Sequence, residues 1–169
     1  ASRSLSLNSD LIIDTTSPSA PSSLTTTTTT SVTTPTITGS AEAGSTVEVF
    51  SGGSSLGTTT ADGNGVFSFA PSSALSSGSH SITAKATDAA GNLSSESSAL
   101  SVNILTSRSD LKTAVDAWIS DQTSATETYG DINTWNVSQI TDFSKLFYDE
   151  FPAVNTRPSE LKNFNSNIS

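Results

Sequence analysis

The chain has 169 residues and a formal net charge of −9, from 16 acidic and 7 basic residues. This balance argues against nucleic-acid binding, which needs clustered lysine and arginine to replace phosphate counterions. The absence of cysteine excludes disulfides and thiolate metal sites, and no apolar stretch is long enough to span a bilayer. Apolar residues make up only 33% of the chain, so its core must be thin.

Residues 1–14 are predicted to form one strand that has no partner elsewhere in the sequence. An apolar strand of this kind can pair with the sheet edge of a neighbouring copy, which makes it a candidate for self-assembly. The alternative, a strand left over from a longer array and without fixed structure, stays open. The chain also begins without methionine, which favours a processed form or a segment of a longer protein. The apolar residues of this strand are Leu5, Leu7, Leu11, Ile12 and Ile13.

Residues 15–34 are predicted to be a linker rich in proline and threonine. Pro18 and Pro21 interrupt strand pairing and hold the backbone extended. The run Thr25–Thr30 is predicted to be an extended connector or an edge strand. An O-glycosylated stalk and a flat threonine array that binds an ordered surface are the alternatives.

Residues 35–105 carry short runs that alternate apolar residues with serine or threonine. Glycine, asparagine, aspartate and proline interrupt these runs every ~8–12 residues, which predicts an antiparallel β-sandwich with one solvated face per strand. Gly52-Gly53 and the segment Asp62–Gly65 are predicted to be hairpin turns, because their residues tolerate positive φ. The predicted core residues are Val47, Val49, Leu56, Val66, Phe67, Phe69, Leu75, Ile82, Ala84, Leu100, Val102 and Ile104.

Residues 106–169 are predicted to contain a helix followed by a partial repeat. Ser107 and Asp110 are predicted to form a capping box for a helix that ends near Ser120 or Asp121. The apolar spacing over Tyr129–Phe147 fits a short strand, a turn and a short helix, which is the unit of a solenoid repeat. The apolar face of the helix consists of Leu111, Ala114, Val115, Trp118 and Ile119.

The motifs GSAEAGSTVEVF, LGTTTADGNGVFSF and SSGSHSITAKATDAAGN resemble the bacterial immunoglobulin-like repeats of large secreted adhesins. The preceding IIDTTSPSAP is similar to the linker between two such repeats. The resemblance implies an immunoglobulin-like β-sandwich in a surface-exposed, often calcium-bound, tandem array. It also implies that residues 1–14 occupy the place of the last strand of a preceding repeat. The predicted fold class is mainly β, with a small C-terminal α+β element.

A second resemblance covers residues 107–169. DLKTAVDAWISD followed by YGDINTWNVSQITDFSKLF looks like the start of the BspA-type leucine-rich-repeat surface proteins. Ile132–Phe147 would be the first unit, and Phe164–Ser169 looks like the opening of the next. The resemblance implies a role in adhesion. Because a lone repeat cannot bury its own apolar face, this part is either a capping element or the N-terminal edge of a solenoid.

Calcium is the ligand that the sequence favours for this protein. Carboxylate, amide and main-chain oxygens in turns are what this hard cation binds, and calcium at one end of the sandwich would stiffen the joint between modules. The alternative, that these residues only build turns, stays open. The candidate ligands are Asp14, Asp62, Asn64, Asp88 and Asn92.

No catalytic constellation is apparent. His80 is the only histidine, and no cysteine can join it in a metal site or a catalytic pair. Trp118 and Trp135 can stack on sugars, but their positions in the pattern favour a core role. We therefore predict that the protein is not an enzyme and has neither catalytic nor cofactor-binding residues.

The function predicted from the sequence is that of a secreted or bacterial cell-surface structural or adhesive protein, in which a sandwich links or presents neighbouring modules. The alternative is the subunit of an extracellular filament in which each copy donates its N-terminal strand to the next. A weaker alternative is a carbohydrate-binding accessory module. The expected partners are neighbouring modules, copies of the same protein, or host and surface proteins or glycans.

Overall fold

Eight strands, two α-helices and one 3₁₀ turn form in the computed structural model, which describes residues 14–26 and 29–143. The strands are β1 (Ser22–Thr25), β2 (Thr29–Thr30), β3 (Ile37–Ser40), β4 (Thr46–Ser51), β5 (Ser54–Thr60), β6 (Val66–Phe69), β7 (Gly78–Thr87) and β8 (Leu100–Ile104). The helices are α1 (Arg108–Ser120) and α2 (Gln122–Tyr129), and the 3₁₀ turn covers Ile132–Thr134.

The strands form two sheets that enclose one apolar core. One sheet has the order β1-β3-β6, and the other has the order β2-β8-β7-β4-β5. All neighbours are antiparallel except β2 and β8, which run parallel. The prediction of a mainly β sandwich is confirmed. The buried core residues are Ile37, Val47, Val49, Ala61, Phe67, Phe69, Leu75, Ile82, Ala84, Val102 and Ile104.

The alternation of side chains along β6 decides which of its residues reach the core. Phe67 and Phe69 lie on one face and are buried, as predicted. Val66 was predicted to be a core residue, and this prediction is wrong because its side chain is 51% exposed. A strand has a period of two, so Val66 must lie on the face opposite to Phe67. Leu56 and Leu100 are only partly buried at the margin of the core.

The two predicted hairpin turns play different roles. Gly52 and Gly53 have φ angles of 54° and 82° and join β4 to β5 within one sheet, as expected for a two-residue hairpin turn. The segment Asp62–Gly65 was also predicted to be a hairpin turn, but it carries the chain from β5 to β6 in the other sheet. This segment is therefore a connection between the two layers.

The segment predicted as a linker, residues 15–34, contributes two edge strands. β1 pairs with β3 in the smaller sheet, and β2 pairs with β8 in the larger one. Thr29 and Thr30 are 0% and 1% exposed, so the second half of the threonine run is buried. The structure therefore extends the sandwich beyond the predicted boundaries of 35–105, and it favours the edge-strand interpretation of this run.

The C-terminal element forms a second core beside the larger sheet. Helix α1 begins after Ser107, whose side chain and that of Asp110 form the predicted capping box. Asp121 then ends α1 and caps α2, a helix that the sequence did not predict. The buried residues of this second core are Leu105, Leu111, Ala114, Val115, Trp118, Ala125, Ile132, Trp135 and Ile140.

Candidate functional site

Two aspartate turns lie at the same end of the larger sheet. Thr46, the first residue of β4, pairs with Thr60 on one side and with Thr87 on the other. The Asp62 turn follows Thr60 closely, and the Asp88 turn follows Thr87 directly. Two strand spacings separate the ends of β5 and β7, which is roughly 10 Å. Four of the five predicted calcium ligands, Asp62, Asn64, Asp88 and Asn92, therefore lie at one end of the sandwich, in two separate turns.

The carboxylate of Asp62 organises its own turn. Its Oδ1 atom accepts hydrogen bonds from the backbone N–H groups of Asn64 at 2.8 Å and Val66 at 2.9 Å. The hydrogen bond from Val66, together with that from Asn64, lowers the pKa of Asp62 below its ordinary value of 3.8. These contacts are those of an aspartate that builds a turn.

The carboxylate of Asp88 also organises a turn, and it additionally contacts a side chain. Its Oδ1 atom accepts from the backbone N–H groups of Ala90 at 2.9 Å and Asn92 at 2.8 Å. Its Oδ2 atom accepts from the Nδ2 atom of Asn92 at 2.8 Å. The side-chain hydrogen bond from Asn92 is the main reason why the pKa of Asp88 lies below 3.8.

The side-chain amide of Asn92 joins this turn to the segment that precedes the sandwich. The same Nδ2 atom that contacts Asp88 donates to the carbonyl oxygen of Asp14 at 3.1 Å. A carboxylate, an amide and a carbonyl therefore meet at one point, and their oxygens are of the type that calcium binds. The Nδ2 group of Asn92 bridges the Asp88 carboxylate and the Asp14 carbonyl oxygen.

The structure thus brings together three of the five predicted calcium ligands, Asp14, Asp88 and Asn92. Asp62 and Asn64 remain in their own turn. Within residues 14–26 and 29–143, no three histidine, cysteine, aspartate or glutamate side chains lie close enough together to hold a metal ion. Calcium at the Asp14 joint would need main-chain and amide oxygens, and it stays a prediction.

The two connections of the sandwich lie at opposite ends of β7. The turn that holds Asp14 follows Thr87, the last residue of β7. At the other end, Gly78 begins β7 and pairs with Ile104, the last residue of β8, from which the chain continues into the C-terminal element. β7 has 10 residues, which corresponds to a length of about 30 Å. The chain therefore reaches the sandwich at one end and leaves it at the other.

A second set of contacts, which the sequence did not reveal, lies along β2. The Thr29 hydroxyl donates to the carbonyl oxygen of Tyr129, which also accepts from the indole Nε1 of Trp135 at 2.9 Å. The Nδ2 atom of Asn103 in β8 donates to the carbonyl oxygen of Thr128 at 2.7 Å. Buried polar side chains thus attach the sandwich to the C-terminal element. A threonine run beside a proline-rich segment gave no signal of this role.

The remaining candidate residues, His80, Trp118 and Trp135, make contacts that support the fold. His80 contacts the Ser51 hydroxyl through Nδ1 at 3.0 Å and the Ser76 carbonyl oxygen through Nε2 at 2.9 Å. Trp118 and Trp135 are each 9% exposed within the second core, so the core interpretation holds for both. The proposed self-assembly residues Leu5, Leu7, Leu11, Ile12 and Ile13 lie outside the described residues. In the part of the chain that the structure describes, no helix is long and apolar enough to cross a membrane.

Solved structures and a family model match this chain. In solved structures, the chain is similar to the family 28 exopolygalacturonase of Yersinia enterocolitica, with 17% identity and a TM-score of 0.36, over 54% of this chain and 22% of that one. It is also similar to a structure described as a protease, with 17% identity and a TM-score of 0.33, over 52% and 18% of the two chains. The chain thus spans about a fifth of each of these proteins, and no curated protein matches it. The family model described as "Bacterial Ig-like domain" matches residues 7–106, and the chain therefore belongs to the bacterial Ig-like domain family.

Proposed function

We propose that the protein is a non-enzymatic structural module of the bacterial cell surface that links neighbouring modules in a fixed orientation. The observation that carries this proposal is the placement of its two connections at opposite ends of β7. Each connection is held by hydrogen bonds, through Asn92 at one end and through β2 and Asn103 at the other. A chain that is anchored at both ends of a sandwich acts as a spacer between its neighbours.

The surface composition supports an exposed location. Among the described residues, the large apolar side chains that are exposed are Val66 and Leu93, and they are single residues of the kind that any soluble surface carries. The net charge of −9 favours solubility in a crowded extracellular setting. An adhesive role for the C-terminal element is proposed on the sequence resemblance of residues 107–169 to BspA-type repeats alone.

Labelling of intact bacterial cells tests the location. Antibodies raised against the purified chain are expected to label intact cells as strongly as permeabilised ones. An antibody against a cytoplasmic protein serves as the control and should label only after permeabilisation. Labelling that requires permeabilisation would contradict the surface location. Incubation of intact cells with a protease should also remove the signal.

Assembly into an extracellular filament is the second candidate. Among the described strands, β1, β5 and β6 lie at edges of their sheets, and such edges can offer main-chain groups to a strand from another copy. Deletion of residues 1–14 tests the idea, with a deletion of residues 1–4 as the matched control. Filaments that are lost with the longer deletion and kept with the shorter one support strand donation. If both deletions assemble alike, strand donation is excluded.

Carbohydrate binding has less support than either proposal. A shallow cleft beside Trp118 is lined by Gln122, Glu127 and Asp131, which are side chains that can hydrogen-bond sugar hydroxyls. The tryptophan ring itself is almost wholly buried, so it offers little surface for stacking. A glycan array probed with the intact chain and with Glu127→Ala tests this cleft, and specific binding that the variant loses would favour it.

A further inference from the structure

The C-terminal element continues the larger sheet through the backbone of one residue. The N–H group of Asn136 donates to the carbonyl oxygen of Thr29 at 2.9 Å, and its own carbonyl oxygen accepts from the N–H group of Ser31 at 2.6 Å. Asn136 and Thr30 therefore form a parallel bridge. On its other side, β2 pairs in parallel with β8, since Thr29 faces Asn103 and Thr30 faces Ile104. β2 is thus held along both of its edges.

The direction of these strands decides how the bridge responds to tension along the chain. β2 is reached from the N-terminal side, and the segment around Asn136 leads on toward the C-terminus. Because the two strands run parallel, tension between the two sides pulls them past each other along their length. The two backbone hydrogen bonds of Asn136 are then loaded together. If both strands were pulled from the same end, the bonds would open one after the other.

Side chains reinforce the bridge on both sides of Asn136. The N–H group of Gln139 donates to the Ser31 hydroxyl at 2.9 Å, and the Thr29 hydroxyl donates to the carbonyl oxygen of Tyr129. Thr29, Thr30 and Ser31 are all buried, at 0%, 1% and 4% exposure. Burial keeps water from competing for these hydrogen bonds, which strengthens each of them.

We propose that β2 and the Asn136 segment form a shear joint, which transmits tension from the sandwich to the C-terminal element while the two remain docked. The free edge of β2 is thus covered by the Asn136 segment of the same chain. This inference deepens the proposed role as a link between modules and rests on it for its biological use. The mechanical property itself is independent of where the protein is located in the cell.

Single-molecule pulling in two geometries tests the joint. The chain has no native cysteine, so introduced cysteines give unique handles on the full chain. Handles at the exposed positions Thr25 and Thr141 load the bridge in shear. Handles at Thr25 and the exposed Thr134 load the same bridge by peeling, because Thr25 precedes β2 in the chain and Thr134 precedes Asn136. We expect the shear geometry to rupture at about twice the force of the peeling geometry, since two bonds break together.

Equal rupture forces in the two geometries, or a lower force in shear, would overturn the proposal. Folding of each handle variant is checked by the fluorescence of Trp118 and Trp135, which are the only tryptophans and both lie in the C-terminal element. If a handle disturbs this signal, Ser22 replaces Thr25 and Asn133 replaces Thr134, because both are exposed. A clear shear advantage together with failed surface labelling would retain the joint and reject only the surface role.

Discussion

The side-chain amide of Asn92 donates to the carbonyl oxygen of Asp14 at 3.1 Å and to Oδ2 of Asp88 at 2.8 Å. One amide group therefore fixes the turn after β7 and also the segment that leads into the sandwich. At the opposite end of β7, the backbone of Asn136 fixes the C-terminal element to β2. Each end of the sandwich thus has its own polar contact to the adjoining chain.

Replacement of Asn92 by alanine should free the segment around Asp14. The variant loses the donor to the Asp14 carbonyl, so the order parameters of the amides of Thr15, Thr16 and Ser17 should fall from about 0.85 toward 0.6. Backbone ¹⁵N relaxation measures this change. Asn64→Ala is the matched control, because Asn64 lies in the other turn. If Asn92→Ala leaves these order parameters unchanged, the amide does not hold the joint.

Calcium, if it binds at the Asp14 joint, should stabilise the protein through Asp88. We expect the unfolding free energy to rise by about 1–3 kcal/mol at ten to a hundred times the dissociation constant. Thermal melting in calcium and in a chelator measures this difference, and isothermal titration measures the binding. Asp88→Asn should abolish the effect, whereas Asp62→Asn should retain it. Identical melting curves of the unmodified protein in calcium and in chelator would end the hypothesis.

Acid should destabilise the protein through its turn and cap carboxylates. Hydrogen bonds hold the pKa of Asp62, Asp88 and Asp121 below 3.8, chiefly those from Val66, from the Asn92 side chain and from the Ser124 side chain. Because these folded-state values lie below the unfolded ones, the stabilisation is complete above the ordinary value and is lost as the pH falls through the folded-state pKa. The melting temperature should therefore be level from about pH 7 to 5 and should fall below about pH 4. A melting temperature that rises on acidification would contradict this assignment.

Gly39 is required because it lies against an aromatic ring of the core. A Cβ atom at this position would lie 2.7 Å from Cζ of Phe67, and 3.0 Å from the carbonyl oxygen of Ser22. Gly39→Ala should therefore lower the unfolding free energy by about 1–3 kcal/mol, as overpacking does in cores. Chemical denaturation measures this. Gly63→Ala is the control, because its Cβ would meet no atom within 4 Å. Equal stability of the two variants would show that Phe67 and its neighbours shift to accommodate a methyl group at position 39.

The sequence predicted best the parts of the fold that depend on local pattern. Alternation along β4 and β6 identified most of the core, and the capping box at Ser107 located the start of α1. Val66 was wrongly assigned to the core because it is apolar. It directly precedes Phe67, so it lies on the opposite face of β6, which faces solvent. Local patterns succeed where the period of one element decides burial.

The parts that the sequence could not predict depend on contacts across long separations. Thr29 and Thr30 read as polar linker residues, and only their pairing with β8 and Asn136 explains why they are buried. Ser94 and Ser97 are a second example beside β7. Their hydroxyl oxygens accept hydrogen bonds from the backbone N–H groups of Ala86 and Ala84, respectively. A side chain that hydrogen-bonds a strand's backbone in place of a neighbouring strand follows no periodic pattern in the sequence. The same holds for the bond between Asn92 and Asp14, which joins residues 78 positions apart.

The hydroxyl of Thr29 offers the most direct test of coupling between the two cores. Thr29→Val keeps the shape of the side chain but removes the donor to the Tyr129 carbonyl oxygen, which should cost about 1 kcal/mol. Both tryptophans lie in the C-terminal element, so their fluorescence reports on that element, while far-UV circular dichroism reports mainly on the sandwich and helices together. In the unmodified protein the two signals should change in one coincident transition, and Thr29→Val should move both signals together to lower denaturant. The exposed Thr25→Val is the control and should leave both transitions in place. Fluorescence and dichroism transitions that are well separated in the unmodified protein would show that the two cores unfold independently.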